Sequence, residues 1–240
     1  MKHFYALESD PVIFTGLAHS LGCPRYFKFE DVYDLEQPDL LLPPALALIL
    51  VLPTSEAYEA HVSLDDAGRK EYSGSEENGI VFFKQTINNA CGLYAILHAL
   101  FNVNPEISFS SSSVLAQISR GYWTSLPQEH ARILEESAEL DSKYHEAALK
   151  GDSSVPENAE DELDYHYICF VKNRQDDVVI LDGDRKGPVN TGIQLSCNNL
   201  LSEPSIKLVK AFLDREKGEN INFSLMALVE DFSPSSQENE

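Results

Sequence analysis

The sequence predicts an α/β or α+β domain built on a mostly antiparallel sheet, on three observations. Ala47 to Leu52 is an unbroken apolar run stopped by Pro53, the pattern of a central strand buried on both faces. Tyr165 to Val171 and Val178 to Leu181 are rich in β-formers and joined by KNRQDD, a hairpin pattern. Elsewhere apolar residues recur at helical spacing, as in Leu93, Ile96, Leu97, Leu100 and Phe101 behind Cys91.

In chain order, Asp10-Pro11 followed by Val12, Ile13, Leu17 and Leu21 predicts a helix from Pro11 to Leu21, closed by Gly22. Phe27 to Asp34 alternates imperfectly and fits a short strand or turn. Residues 64–79 (LDDAGRKEYSGSEENG) are charged and glycine-bearing, so they predict a surface loop ahead of a strand from Ile80 to Lys84. Cys91 then opens a helix, and Ser112 to Ser119 and Pro127 to Leu149 predict two more. Gly151 to Asp164 holds six acidic residues and no basic one, a long solvated loop. After the hairpin come a helix from about Pro204 to Glu216 and a last strand, Phe223 to Val229. No fixed-period repeat interrupts this order. One domain over residues 1–232 is predicted, with a disordered polar tail, SPSSQENE, at 233–240.

At 43% hydrophobic residues the 240-residue chain has the material for a sizeable core. Its 39 acidic residues against 18 basic give a net charge of -21, the wrong sign for binding phosphates. Nucleic acid and anionic membrane are therefore excluded as expected partners, and a basic protein or cationic tail is favoured. The same charge favours a soluble monomer. Only eight apolar residues, Ala45 to Leu52, follow Pro43-Pro44, against the ~20 that span a bilayer. The start, MKHFYALESD, lacks the apolar core of a signal peptide, and the four cysteines are scattered with no C-x-x-C pair. A reducing compartment is expected: the cytoplasm, with the nucleus left open.

A helix N-terminus and a neighbouring histidine together stabilise a thiolate, and Cys91 has the first by position. Gly92 after it is expected to clear space for a substrate carbonyl. Cys23, Cys169 and Cys197 read as small core residues. His98 lies about 10.5 Å along the same helix and cannot reach the sulfur. His166 opens a strand after the acidic loop and is the better partner, although a hydrogen-bonded strand-end histidine has the same signature. Pairing Val171 near Val178 puts His166 opposite residue 182 or 183, so Asp182 can orient the imidazole, with Asp184 a weaker candidate. Asp182 before Gly183 also fits an ordinary turn aspartate. Gln85, at the end of the strand leading to Cys91, can donate to an oxyanion together with the Cys91 N–H.

These residues carry a resemblance. FFKQTINNACGLYAILHAL at 82–100 resembles the active-site signature of the ubiquitin C-terminal hydrolases, papain-like cysteine peptidases, with Gln85, Thr86, Ile87, Asn88, Asn89, Ala90, Cys91 and Gly92 filling the pattern. DYHYICFV at 164–171 is similar to that family's histidine strand. ILDGDRKGP at 180–188 is similar to its Leu-Asp-Gly-Arg segment, and LESDP before a helix also fits, so the likeness covers nearly the whole chain. Two departures stand out: Leu93 replaces a frequent Thr, and Asp184 separates Gly183 from Arg185. The resemblance implies a papain-like fold, a central sheet wrapped by helices, on a knotted backbone. It implies Cys91 as nucleophile, His166 as general base and acid, Asp182 as orienter and Gln85 as oxyanion donor, with no metal or cofactor. The implied substrate is ubiquitin, whose tail carries arginines, joined at its C-terminal glycine to a small or unfolded adduct. In that family the segment matching 151–164 crosses the active site. A ubiquitin-like modifier as substrate, or a non-catalytic ubiquitin-binding module, are the alternative expectations.

Overall fold

The computed structural model describes residues 2–38, 42–73, 79–103, 107–124, 127–151, 165–216 and 222–231. Its elements, in order, are β1 (Lys2–His3), α1 (Pro11–Leu21), β2 (Phe27–Asp31), β3 (Ala47–Pro53), α2 (Glu56–Asp66), β4 (Ile87–Asn88), α3 (Cys91–Asn102), α4 (Val114–Thr124), α5 (Pro127–Glu136), α6 (Ala138–Ala148), β5 (Tyr165–Lys172), β6 (Asp177–Leu181), β7 (Val189–Gln194), α7 (Glu203–Arg215) and β8 (Ser224–Glu230). Six strands form one sheet in the order β2-β8-β3-β5-β6-β7, every pairing antiparallel. β1 and β4 make a separate two-stranded parallel pair. The 151–164 loop, apart from Gly151, and the 233–240 tail lie outside the described residues.

β3 is buried from end to end because both faces of the sheet are covered. Ile49 and Val51, with Tyr167, Cys169 and Val171 of β5 and Met226 and Leu228 of β8, face a core shared with α1, α3, α4 and α6. Leu48, Leu50 and Leu52, with Ile168, Phe170, Leu225 and Ala227, face a second core capped by Ile206, Val209 and Phe212 of α7 and by Tyr58 of α2. Each fully buried Val, Leu, Ile, Phe or Met among them contributes about 1.5–3 kcal/mol of transfer free energy, which holds both faces of the sheet against their covering helices. α3 is buried on every side from Cys91 to Phe101, so it is a core helix and not an amphipathic one.

Local chemistry sets the ends. Asp10 caps α1, accepting from Val12 N–H at 2.6 Å and Ile13 N–H at 3.2 Å. Gly22, at φ 110°, ends it in a left-handed turn that a side chain would strain. Ser137 splits the predicted Pro127–Leu149 helix in two by capping α6 through Leu140 N–H at 3.2 Å.

Two sequence-based expectations fail. The first three residues of the supposed 64–79 loop are helical: Leu64 to Asp66 end α2, whose start carries Ser55 as cap and Glu56 and Glu59 in the first turn. Ile80 to Lys84 is not a strand. Its apolar run signals burial, and its amides are satisfied by side chains: Val81 N–H donates to Asn102 Oδ1 (2.8 Å), Phe82 N–H to Tyr122 OH (3.2 Å) and Phe83 N–H to His98 Nε2 (3.0 Å). Burial pushes the His98 ring down to about 4, which keeps it neutral and able to accept. Among the described residues no helix is long and apolar enough to cross a membrane.

Candidate active site

Three elements converge on one thiol. Cys91 is the first residue of α3, and Ala90 before it offers no side-chain cap. With no side-chain cap at its start, the positive end of the helix dipole lies at Cys91. Asn89, at φ 59°, makes the left-handed turn that aims the chain into the helix, a conformation asparagine tolerates. Thr86 N–H donates to Tyr94 OH at 3.1 Å, tying the approach segment to the first turn of α3.

His166 is the second residue of β5, opposite Leu52 of β3. Its Nε2 lies 2.8 Å from Asp182 Oδ1, and both residues are buried. With Nε2 taken, Nδ1 is the nitrogen left for Cys91, which interacts with the ring and helps to raise its pKa. Asp182 accepts three donors: His166, the Asp184 N–H at 2.9 Å, and on Oδ2 the Tyr58 hydroxyl at 2.7 Å. Burial alone would raise the Asp182 carboxyl, but the His166 charge and these hydrogen bonds outweigh it and hold it down to about 2. Burial likewise favours a neutral imidazole, yet the charge and hydrogen bond of Asp182, and then Cys91, raise His166 well above the ordinary range. Tyr58 is pushed up, first by burial and then by the Asp182 charge, so it remains a donor.

Asp182 reaches His166, but not by the expected register. The turn closes through Asn173, whose Oδ1 accepts from Gln175 and Asp177 N–H at 2.9 Å each, with Asp176 left-handed at φ 64°. Lys172 therefore pairs with Val178 and Val171 with Val179, one residue later than the count that put His166 opposite 182 or 183. The ladder stops at Cys169 and Leu181. Beyond it the chain turns, Arg185 N–H donating to the Asp182 carbonyl at 3.1 Å, and the Asp182 side chain spans the gap.

Asp184 is on the other side of the ring. Its Oδ2 lies 3.7 Å from His166 Nδ1, and its side chain is 58% exposed. His166, Asp182 and Asp184 thus offer three possible metal-ligand atoms within 4.8 Å of one another. Two of the three, Nε2 and Asp182 Oδ1, point at each other, so the geometry is that of an imidazole between two carboxylates.

Gln85 follows the irregular segment, not a strand end. Its N–H donates to Gly183 O at 2.9 Å, and its Oε1 is buried with no hydrogen-bond partner. A Cβ on Gly183 would lie 2.8 Å from Gln85 Cβ, which explains glycine after Asp182. A buried amide oxygen without a partner marks a group whose polar end serves something other than the fold. Gly92 does not clear a path for substrate as expected: a Cβ there would meet Leu7 at 3.3 Å and Phe14 at 3.4 Å, so it is small for core packing. Cys23 and Cys169 are buried as expected, whereas Cys197 is exposed because it lies past the end of β7.

Sequence reasoning missed Tyr58 and the clamp behind Asp182. Arg185 is buried against α2, its Nη2 donating to Asp66 Oδ1 at 2.6 Å and to Asp65, while Lys186 N–H donates to Asp66 Oδ2 at 3.0 Å. Ser55 with Glu56 and Glu59 was the available signal for α2, and a helix starting there places Tyr58 one turn in.

A thiol leading a buried helix, an imidazole on a sheet strand and a carboxylate just past the next strand form the arrangement of a papain-like thiol peptidase. The chain belongs to ubiquitin carboxyl-terminal hydrolase family 1, whose family model matches residues 4–214. It is 29% identical over 230 residues to ubiquitin carboxyl-terminal hydrolase 3 of Arabidopsis thaliana, covering 95% of this chain and 94% of that protein. It is 30% identical over 225 residues to the human ubiquitin carboxyl-terminal hydrolase isozyme L1, covering 92% and 96%. The fold is similar to the Trichinella spiralis UCH37 catalytic domain bound to ubiquitin vinyl methyl ester, with TM-score 0.73, 22% identity and coverage of 95% and 96%.

Proposed function

We infer that this chain is a cysteine-type ubiquitin C-terminal hydrolase in which Cys91 is the nucleophile, His166 the general base and acid, Asp182 the orienting carboxylate and Gln85 an oxyanion donor. The observation that carries the assignment of roles is the 2.8 Å bond from His166 Nε2 to a carboxylate that is itself held by Tyr58. It fixes the ring and leaves Nδ1 for proton transfer.

Nδ1 takes the Cys91 proton, and the sulfur forms a bond to the carbonyl carbon of ubiquitin's last glycine. The carbonyl π pair moves to oxygen, which accepts from the Cys91 N–H and the Gln85 amide; rotating that amide turns its NH2 to the oxyanion. The C–N bond then breaks as Nδ1 returns its proton to the leaving amine. A water, losing its proton to Nδ1, attacks the thioester, and cleavage of the C–S bond frees Cys91. The net charge of -21 supports ubiquitin as substrate, since it complements the arginines of the tail. A working thiol needs a reducing compartment, which supports a cytoplasmic location, and self-repulsion supports a monomer. The preference for small or unfolded leaving groups rests on a loop whose residues 152–164 lie outside the described residues.

Ubiquitin carrying a C-terminal electrophile tests the reading. Mass analysis is expected to find one adduct on Cys91 and none in Cys91→Ala. Tight binding without an adduct would instead make the chain a non-catalytic module. Faster labelling by the same warhead on a ubiquitin-like modifier would reassign the substrate.

A further inference from the structure

Asp184 stands beside the place a leaving group has to occupy. Asp182 holds His166 Nε2, so the proton that a departing amine needs comes from Nδ1, and Asp184 Oδ2 is 3.7 Å from that nitrogen. A leaving amine within hydrogen-bond reach of Nδ1, about 3 Å, is then no more than about 7 Å from the Asp184 carboxylate. That is inside the screening length of about 8 Å at 0.15 M salt.

The position is fixed, and beyond His166 the carboxylate faces solvent. The Asp184 N–H donates to Asp182 Oδ1, and its carbonyl accepts from Lys84 Nζ at 2.8 Å, so the backbone is pinned from both sides. Lys84 Nζ donates to that carbonyl and to Arg185 O at 2.9 Å, so its charge acts on the Asp184 carboxylate without pairing directly with it. Arg185, the next cation along the chain, is buried on Asp65 and Asp66. Among the described residues, the group in ion-pair range of the Asp184 carboxylate is the His166 ring alone. At 58% exposure, against 2% for Asp182, the side chain is open to a ligand.

We propose that Asp184 is a specificity-determining residue on the leaving-group side of the cleft, selecting ubiquitin conjugates whose leaving group carries positive charge next to the scissile bond. Lysine- or arginine-bearing peptides fit this description, and acidic peptides are disfavoured. The inference rests on the hydrolase reading above and deepens it.

The test uses the full chain and three ubiquitins extended after the last glycine by Ala-Lys-Ala, Ala-Gln-Ala or Ala-Glu-Ala, with released ubiquitin quantified by mass. An exposed charge pair shifts an equilibrium by up to about fivefold, so attraction of one peptide and repulsion of the other compound to a Lys-to-Glu ratio in kcat/KM of about tenfold. Asp184→Asn should collapse that ratio to about twofold, the remainder coming from the overall acidic field, and Asp184→Lys should invert it. Any general effect of a substitution on turnover cancels in the ratio. Asp184→Ser serves as a third variant should the lysine one fail to fold. A wild-type ratio near one, or a ratio that Asp184→Asn leaves intact, overturns the proposal. If wild-type enzyme releases ubiquitin from none of the three, the neutral glutamine peptide included, the hydrolase reading itself has failed.

Discussion

Asp182 holds a phenol on one oxygen and an imidazole on the other, and the two contacts act on His166 in opposite directions. The carboxylate's charge and hydrogen bond raise the ring above its ordinary pKa against the effect of burial, so the imidazolium persists to higher pH than a free histidine would. Loss of the raised form as pH climbs sets the alkaline limb of kcat/KM. Asp182→Asn removes the larger raising cause and leaves only Cys91 against burial, so that limb should move at least about one pH unit down, with kcat falling about 10²- to 10⁴-fold as the ring loses its orientation. Tyr58→Phe removes a donor that disperses the carboxylate's charge, so the limb should move slightly up, with only a modest fall in kcat. It also leaves a buried carboxylate oxygen short of a partner, at about 1–3 kcal/mol of stability. Profiles measured with a fluorogenic ubiquitin amide decide the matter. Shifts of the same sign in both variants would show that Tyr58 is not acting through Asp182. That Cys91, His166 and Asp182 come together was legible in the sequence because each is a reactive type at an element boundary. Tyr58 was not, since nothing in its own neighbourhood points to a carboxylate 124 residues away in the chain.

The elements carrying that triad were legible to different degrees, and the reason is how each satisfies its backbone. α1, α3, β3 and the β5–β6 hairpin satisfy theirs internally or with a neighbouring strand, so periodicity alone located them, α1 and the start of α3 to the residue. Ile80 to Lys84 satisfies its amides with Asn102, Tyr122 and His98, and no local pattern distinguishes that from a strand. The hairpin register slipped by one because the left-handed Asp176 shortens the turn, a conformational choice invisible in KNRQDD. α2 was overlooked for its polarity, with only Tyr58 and Asp66 buried, yet its C-terminal end anchors the loop that bears Asp182 through Arg185. Arg185→Ala should therefore do more than destabilise. Removing one partner of a buried ion pair costs about 2–4 kcal/mol here, toward the low end because Asp65 is partly exposed, or about 5–15 °C in Tm. At a temperature where the variant is still folded, kcat should fall several-fold with KM little changed, because the Asp182 loop loses its register against His166. A lowered Tm with wild-type kcat would limit the clamp to stability.

At the scale of the whole molecule, one quantity, the net charge of -21, acts on stability and on association with opposite signs. Crowded carboxylates repel one another in the compact state and make it less stable at low salt, while the same field draws in a basic tail and speeds encounter. Raising ionic strength from 0.01 to 0.15 M shortens the screening length from about 30 to about 8 Å. Self-repulsion and long-range attraction should weaken together, so Tm is expected to rise by a few degrees while the association rate with ubiquitin falls about tenfold or more. The chemical step should respond much less. His166 and Asp182 lie 2.8 Å apart with almost no exposure, and buried pairs are screened far less than surface charges. Turnover at saturating substrate is therefore expected to stay within about twofold across the same range, whereas kcat/KM follows the association rate. Stopped-flow association, thermal melts and saturating turnover in the same salt series separate the three. An association rate indifferent to salt would remove the acidic field from substrate capture and leave shape and the tail contacts to account for it. A kcat that fell in step with the association rate would mean that the charges governing the chemistry are more open to solvent than the buried His166–Asp182 pair.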